Sequence, residues 1–165
     1  MVSPDRFDGE LLALLPRLRR FAHTLSRNPA DADDLTQATI ERALRSRTHW
    51  QVGTRLDSWT YRIMRNLWID TARARTRREK VEAPEEEAEL HAVRVDNGMD
   101  AAVDLSRMMA AMERLPDEQR EVVALILIEG FGYREAAEML GLPIGTVSSR
   151  LVRGRTALLA MVGEQ

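Results

Sequence analysis

Apolar positions recur along most of the chain at the spacing of an α-helix rather than that of a β-strand. In the first half, this spacing predicts three helices, over residues 9–26, 31–46 and 58–78. Asn28-Pro29 separates the first two, because proline disfavours a continuing helix. Residues 47–57 lack the helical period and are predicted to form a loop or a short irregular piece.

The second half is also predicted to be helical. Helices are expected over residues 101–114, 117–129, 133–140 and 145–162. The apolar run from Val122 to Ile128 has the length of a strand, but the polar residues on both sides favour a buried helix. Because no convincing strand remains, the predicted fold class is all-α.

Charge is distributed unevenly along the chain. The net charge is −2, but residues 1–78 carry 15 arginines against 9 acidic side chains, whereas residues 79–103 carry 2 basic side chains against 8 acidic ones. Pro84 and the glutamates at 85–87 lie in the acidic stretch, which is typical of a linker. We expect two small helical domains, 1–78 and 101–165, joined by an acidic flexible linker, 79–100.

Composition excludes several classes of protein. The chain has no cysteine, which excludes disulfide scaffolds, thiolate zinc sites and thiol nucleophiles. No apolar run approaches the ~20 residues of a membrane helix, and the polar start is unlike a signal peptide, so we expect a cytoplasmic protein without membrane insertion. Asp31, Asp33 and Asp34 lack the glycine and distal glutamate of a calcium loop and suit a helix start instead. With no nucleophile motif or phosphate loop, we expect neither an enzyme nor a cofactor or metal.

Residues 132–154 have the pattern of a helix-turn-helix. Ala136 and Ala137 allow a second helix to cross closely, and Gly141 suits the left-handed conformation of a tight turn. The second helix is expected to point three apolar side chains inwards, Val147, Leu151 and Leu158. Its other side carries hydroxyl and arginine side chains that suit the major groove of DNA, namely Thr146, Ser149, Arg150 and Arg153. Two packed helices with a solvated polar face are the alternative.

The predicted helix over residues 58–78 has one strongly cationic side. At about 100° per residue, six of its polar residues fall on one face: Arg62, Arg65, Asn66, Asp70, Arg73 and Arg77. Such a face can neutralise phosphates, and Asn66 can reach a base edge. Trp50, Arg55 and Trp59 precede or begin this helix, and aromatic side chains beside arginines suit unstacked bases. The alternatives are a solvated face for the arginines and core packing for the tryptophans, which is preferred for Trp68.

An ordered set of motifs resembles the extracytoplasmic-function sigma factors of the sigma-70 family. Asp31-Ala-Asp-Asp-Leu-Thr-Gln37, followed by Glu41-Arg-Ala43, resembles region 2 of these proteins, and residues 59–66 resemble the end of that region. Three further segments, residues 115–122, 132–137 and 145–151, resemble parts of region 4. The resemblance extends over nearly the whole chain.

This resemblance implies partners and contact residues. Region 2 would bind the β′ clamp helices of core RNA polymerase through Asp31, Asp34, Leu35, Gln37, Ile40 and Arg42. It would hold the opened −10 promoter element through Trp50, Arg55, Trp59, Arg62, Arg65, Asn66, Arg73 and Arg77. Region 4 would contact the β flap and read the −35 element as duplex through Arg134, Thr146, Ser148, Ser149, Arg150 and Arg153. The resemblance further implies a cognate anti-sigma factor, a stress or envelope response, and promoter-specific initiation.

Two other functions account for part of the sequence. A dimeric helix-turn-helix regulator explains residues 132–154 but not the motif at Asp31 or the arginine-rich helix. An all-helical interaction protein, such as a decoy for an anti-sigma factor, would need neither the arginine face nor Arg150 and Arg153. Since no additional regions are evident, a housekeeping sigma factor is not expected.

Overall fold

The computed structural model describes residues 3–80 and 101–163, without the side chains of residues 101 and 102. These residues form eight α-helices and no strand, which confirms the all-α fold class. The chain divides into two compact units, Met1–Ala88 and Glu89–Gln165, which we call unit 1 and unit 2. Apart from Glu79 and Lys80, the predicted linker lies outside the described residues.

Unit 1 contains four α-helices and one turn of 3₁₀-helix, Arg47–His49. The helices are α1 (Pro4–Ala13), α2 (Leu15–Ser26), α3 (Pro29–Arg45) and α4 (Leu56–Glu79). The prediction of a single helix over residues 9–26 was wrong, because the chain starts a new helix after Leu14. Pro16 lies in the first turn of α2, and it lacks the backbone N–H that a continuous helix would need there.

The start of α3 follows from local chemistry. Arg27 adopts a left-handed conformation with φ 57°, which ends α2. The Asn28 side chain then accepts hydrogen bonds from the backbone N–H groups of Ala30 (2.9 Å) and Asp31 (3.2 Å). Such a cap satisfies donors that the first helical turn otherwise leaves unpaired.

The core of unit 1 lies between α2, α3 and α4. Phe21 and Tyr61 are almost fully buried, with ring centroids 5.0 Å apart. Buried threonines on α3 and α4 satisfy their hydroxyls within the helix; Thr39, for example, donates to the Leu35 carbonyl at 2.7 Å. A second apolar cluster joins α1 to the ends of α3 and α4 and consists of Phe7, Leu11, Ala43 and Leu56.

Unit 2 follows the predicted order of helices closely. It contains α5 (Ala101–Arg114), α6 (Asp117–Val123), a π-helical turn (Ala124–Ile128), α7 (Tyr133–Leu140) and α8 (Ile144–Gly163). The apolar run is helical and not a strand, and Val122, Val123, Ala124 and Leu125 are at most 1% exposed. The prediction of a buried helix was wrong for the end of the run, where Leu127 is 52% and Ile128 41% exposed. Gly141 has φ 63°, which confirms the left-handed turn between α7 and α8.

Some apolar positions of unit 2 face outwards. Leu105, Met108 and Met109 share a side of α5 with Met112, but only Met112 is buried. Tyr133 is 47% exposed, although Ala136, Ala137 and Leu140 on the same predicted face are buried. A helical period identifies a face, but packing decides how far along the helix that face is covered.

Candidate nucleic-acid and polymerase interfaces

The exposed face of α4 carries cations that pair with no carboxylate of the described residues. Arg62, Asn66, Arg73 and Arg77 are all exposed. Among the residues that the structure describes, Arg62, Arg73 and Arg77 form no ion pair, whereas Arg65 is half-buried. Because guanidinium groups in water remain charged, this side of α4 presents a positive surface to any polyanion.

A cavity of about 240 Å³ lies beside this face, between α4 and the end of α3. Its walls combine an indole and aliphatic side chains with hydrogen-bonding groups: Arg42, Ser46, His49, Trp59, Ile63, Asn66, Leu67 and Asp70. The structure thus brings together Arg42, predicted to bind polymerase, with Trp59 and Asn66, predicted to bind DNA. Aromatic and polar groups in one concave site are the combination that proteins use for unstacked bases.

Sequence reasoning missed four of the cavity residues, Ser46, His49, Ile63 and Leu67. The available signal was the spacing of four residues that links Arg42 with Ser46, and Trp59 with Ile63 and Leu67, since residues at this spacing lie on one side of a helix. That signal shows which residues share a face of one helix, but it does not show that the faces of α3 and α4 meet.

Trp50 and Trp59 both pack against Phe7. The ring centroid of Phe7 lies 5.6 Å from that of Trp50 and 6.1 Å from that of Trp59. Both indoles are half-buried beside the second apolar cluster. The Trp50 Nε1–H is buried and has no hydrogen-bond partner among the residues with described positions. The two tryptophans therefore support the packing at the start of α4.

Arg55 is held by a carboxylate at the start of α4. Its Nη2 lies 2.8 Å from Asp57 Oδ2 and its Nε lies 3.1 Å from Asp57 Oδ1. Arg17 Nη1 approaches the same carboxylate at 3.4 Å. Burial raises the pKa of Asp57, but hydrogen bonds from Arg55 and the Ser58 N–H outweigh burial and leave this pKa below its ordinary value. Arg55 is therefore partly neutralised.

The residues predicted to bind polymerase do not all lie on the surface of α3. Asp34, Gln37 and Arg42 are exposed. Leu35 is 6% exposed and belongs to the core, and Ile40 is half-buried against the second apolar cluster. Asp31 is paired with Arg75 of α4, with oxygen–nitrogen distances of 2.7 and 2.8 Å. Of the six residues predicted to bind polymerase, Asp34, Gln37 and Arg42 thus lie on the exposed surface of α3.

In unit 2, α8 presents the predicted polar stripe. Val147, Leu151 and Leu158 are buried, which confirms the side of α8 that faces inwards. Ser149 and Arg153 are exposed, as is Arg134 on α7, whereas Thr146, Ser148 and Arg150 are half-buried. Arg150 Nη2 lies 3.6 Å from Glu118 Oε2 of α6. This arrangement leaves hydroxyl and guanidinium groups along one edge of the helix-turn-helix.

Residues 3–80 and 101–163 contain neither a membrane-spanning helix nor a metal-binding cluster. No helix there is long and apolar enough to cross a membrane. No group of three or more histidine, aspartate or glutamate side chains in those ranges could hold a metal ion.

Comparisons with known proteins agree with these observations. The sigma-70 region 2 family matches residues 11–78, and the sigma-70 region 4 family matches residues 105–158. The ECF RNA polymerase sigma factor EcfG of Rhodopseudomonas palustris is 37% identical over 98% of this chain and 88% of its own length. The ECF RNA polymerase sigma factor SigE of Mycolicibacterium smegmatis is 40% identical over 86% of this chain and 56% of its own length.

A solved structure is similar in fold over almost the full length. The sigma factor RpoE of Bartonella quintana, determined in complex with the anti-sigma factor NepR, superimposes with a TM-score of 0.85 and 32% identity. The match covers 97% of this chain and 98% of the other. From two region matches in the expected order, and relatives similar over most of the chain, it follows that this protein belongs to the extracytoplasmic-function sigma factors of the sigma-70 family, which are transcription initiation factors rather than catalysts.

Proposed function

We propose that unit 1 binds core RNA polymerase and holds the opened −10 strand, while unit 2 reads the −35 element as duplex DNA. The observation that carries this proposal is the exposed cationic face of α4 beside the cavity lined by Trp59 and Asn66. Arg62, Arg73 and Arg77 would neutralise phosphates, and the cavity would accept an unstacked base. Domain boundaries near residues 78 and 101 are part of the proposal.

Core polymerase would contact the exposed face of α3. Asp34, Gln37 and Arg42 are available there, and Gln37 Nε2 donates a hydrogen bond to Glu41 Oε1 at 3.3 Å along the same face. Leu35 and Ile40 would support this face from beneath because both pack inwards. The β flap would contact unit 2.

The polar stripe of α8 would enter the major groove. Ser149 and Arg153 are exposed there, Arg150 lies beside them, and Arg134 extends from the first turn of α7, whereas the half-buried Ser148 lies at least about 100° around α8 from each of these α8 residues. Hydroxyl and guanidinium groups presented from one helix match the edges of base pairs and the flanking phosphates.

We further propose control by an anti-sigma factor, because the similar Bartonella protein was solved bound to one. Such a partner would keep the protein from polymerase until a stress signal releases it. A protein that acts with polymerase on promoter DNA would work in the cytoplasm, and it would need no catalytic activity or cofactor of its own.

The two roles can be separated by substitution. Arg150→Ala combined with Arg153→Ala should abolish promoter-specific run-off transcription, yet leave binding to core polymerase unchanged, because both side chains lie on the polar stripe of α8 that is proposed to face DNA. Asp34→Arg should have the opposite effect, since it reverses a charge on the exposed face of α3. Run-off transcription on a promoter library and co-purification with core polymerase measure the two properties.

Arg155→Ala is the matched control for α8. It removes an exposed arginine from the same helix, on a side away from Arg150 and Arg153, and should leave transcription unchanged. If the double arginine variant loses binding to core polymerase as strongly as it loses transcription, the assignment of roles to the two units is refuted.

A further inference from the structure

Helices α6 and α8 of unit 2 cross at very short range. A Cβ atom placed on Gly154 of α8 would lie 2.7 Å from Val123 Cγ2 and 3.3 Å from Gln119 Cβ, both on the α6 side of the crossing. Real side chains do not tolerate the first of these distances, so the glycine is what permits the close approach. This crossing fixes the position of the neighbouring turns of α8 relative to α6.

One turn before Gly154, the same crossing places Arg150 beside Glu118. Arg150 Nη2 lies 3.6 Å from Glu118 Oε2. The Arg150 side chain is only 24% exposed, whereas that of Glu118 is 71% exposed, so the arginine is restrained by its surroundings while the carboxylate remains in contact with water.

The end of α6 that carries Glu118 is itself anchored. Arg120 is 4% exposed, and its guanidinium donates to the Leu115 carbonyl at 2.9 Å and to Asp117 Oδ1 at 2.6 Å. The buried guanidinium, bonded to a backbone carbonyl and to the exposed Asp117 carboxylate, restrains the turn between α5 and α6. Glu118 is thus presented to Arg150 from a fixed backbone.

Arg153, one turn away on the same polar stripe, differs from Arg150. It is exposed, and within the part of the chain that the structure describes it forms no ion pair. A free guanidinium binds phosphate well because it is mobile and fully charged. A guanidinium next to a carboxylate attracts phosphate less, because the carboxylate offsets part of its charge. Since its N–H donors are held in one orientation, they suit two hydrogen-bond acceptors at a fixed spacing, such as those on a base edge.

We propose that Glu118 is a positioning residue for DNA specificity. It orients Arg150 to read a base edge of the −35 duplex and opposes non-specific binding of Arg150 to phosphate, while Arg153 supplies the phosphate contact. This inference rests on the proposed −35 recognition by α8 and adds to it a division of roles between the two arginines.

The test uses the full chain bound to core RNA polymerase and a duplex library with a randomised −35 segment. The sequence preferred by the wild-type complex and a scrambled duplex then serve as probes. Glu118→Gln should tighten binding to the scrambled duplex and lower the ratio of preferred to scrambled affinity by roughly 1.5- to 5-fold, the range of a solvent-exposed ion pair. The salt dependence of scrambled binding should steepen by about 0.9 in log–log slope, because Arg150 gains a phosphate.

The arginine variants should separate the two roles. Arg150→Ala should remove the preference at one base pair, by roughly 5- to 150-fold, without a similar effect at other positions. Arg153→Ala should weaken preferred and scrambled duplexes equally and reduce the salt slope by about 1. In an Arg150→Ala background, Glu118→Gln should change neither the ratio nor the slope.

Glu138→Gln is the matched control, because it makes the same charge change at an exposed glutamate of unit 2 that forms no ion pair with Arg150 in the part of the chain that the structure describes. Glu118→Asp should retain most of the wild-type ratio. A Glu118→Gln complex with an unchanged ratio, or with a change equal to that of Glu138→Gln, overturns the inference while −35 recognition stands. If neither arginine variant alters binding to the library, the proposed function of α8 fails instead.

Discussion

Asp31 and Arg75 form a two-point ion pair between the first turn of α3 and the last turns of α4. The Arg75 guanidinium also lies over the Trp68 ring, 6.0 Å from its centroid. Hydrogen bonding from Arg75 lowers the pKa of Asp31 against the opposing effect of burial, and the same bond raises the pKa of Arg75. Unlike Arg73 and Arg77, Arg75 is therefore neutralised within unit 1 and contributes little to the positive face of α4.

Asp31→Asn tests this pair through the pH dependence of stability. Because the folded protein lowers the pKa of Asp31, the pair stabilises unit 1 above the ordinary aspartate pKa, and that stabilisation is lost as pH falls through the lowered value. Since both partners are partly exposed, we expect a neutral-pH loss of less than about 1 kcal/mol in the free energy of unfolding. Urea unfolding of the wild-type protein and of Asp31→Asn across a pH series measures this loss. The difference in free energy of unfolding between the two proteins should vanish in acid.

The control for this variant is Asp33→Asn, which removes a carboxylate from an exposed neighbouring position on α3. Equal destabilisation by the two variants would show that the helix dipole, rather than Arg75, is responsible for the effect of Asp31.

At the scale of helices, the crossing of α6 and α8 positions the polar stripe of α8. Gly154 is buried at this crossing, whereas a Cβ on Gly145 of the same helix would have no atom within 4 Å apart from its chain neighbours and its own helix backbone. The two glycines thus share a helix but not an environment, and only the first is required by packing.

Gly154→Ala should lower the free energy of unfolding of unit 2. Overpacking of a core costs about 1–3 kcal/mol, and the better helix propensity of alanine returns about 1 kcal/mol. We therefore expect the free energy of unfolding, measured by chemical denaturation, to fall by up to about 2 kcal/mol. Gly145→Ala, which meets no neighbour, should be neutral or stabilising.

Val123→Ala tests whether Gly154→Ala destabilises unit 2 through contact with the Val123 side chain. Because its Cγ2 is the atom that an alanine at position 154 would meet, the double variant should lose less stability than the sum of the two single variants. Strict additivity would mean that Gly154→Ala acts through something other than contact with Val123.

At the scale of the whole molecule, the chain consists of two units with separate cores and different charge. Residues 1–78 have a surplus of arginine, whereas residues 104–165 carry 7 arginines against 9 acidic side chains. Phe7, Leu11, Ala43 and Leu56 form a cluster wholly inside unit 1, and Phe21 packs on Tyr61 in the same unit. A unit that closes its own core is expected to fold alone.

A chain ended after Lys80 should therefore retain helical circular dichroism and a cooperative unfolding transition. It should also bind core polymerase in a manner sensitive to Asp34→Arg, and it should show no preference among −35 duplexes. Circular dichroism during urea unfolding, followed by co-purification with polymerase, checks these expectations. A fragment without a cooperative transition would contradict the separate core of unit 1.

The sequence alone determined the features that depend on neighbours within a few residues. The all-α class, the boundary at Asn28-Pro29, the turn at Gly141 and the inward side of α8 follow from helical periodicity and from the backbone preferences of proline and glycine. The break after Leu14 was available from the same rules, because Pro16 interrupts an otherwise regular pattern.

Only the tertiary structure decided which polar groups meet. Asp31 pairs with Arg75, Glu118 lies beside Arg150, and Arg42 shares a cavity with Asn66. These partners are separated by 24 to 44 sequence positions. A helical period reveals the face on which a side chain lies, but the crossing of two helices determines the residue opposite it. For that reason the candidate residues could be named from the sequence, whereas their pairing, burial and charge state required the fold.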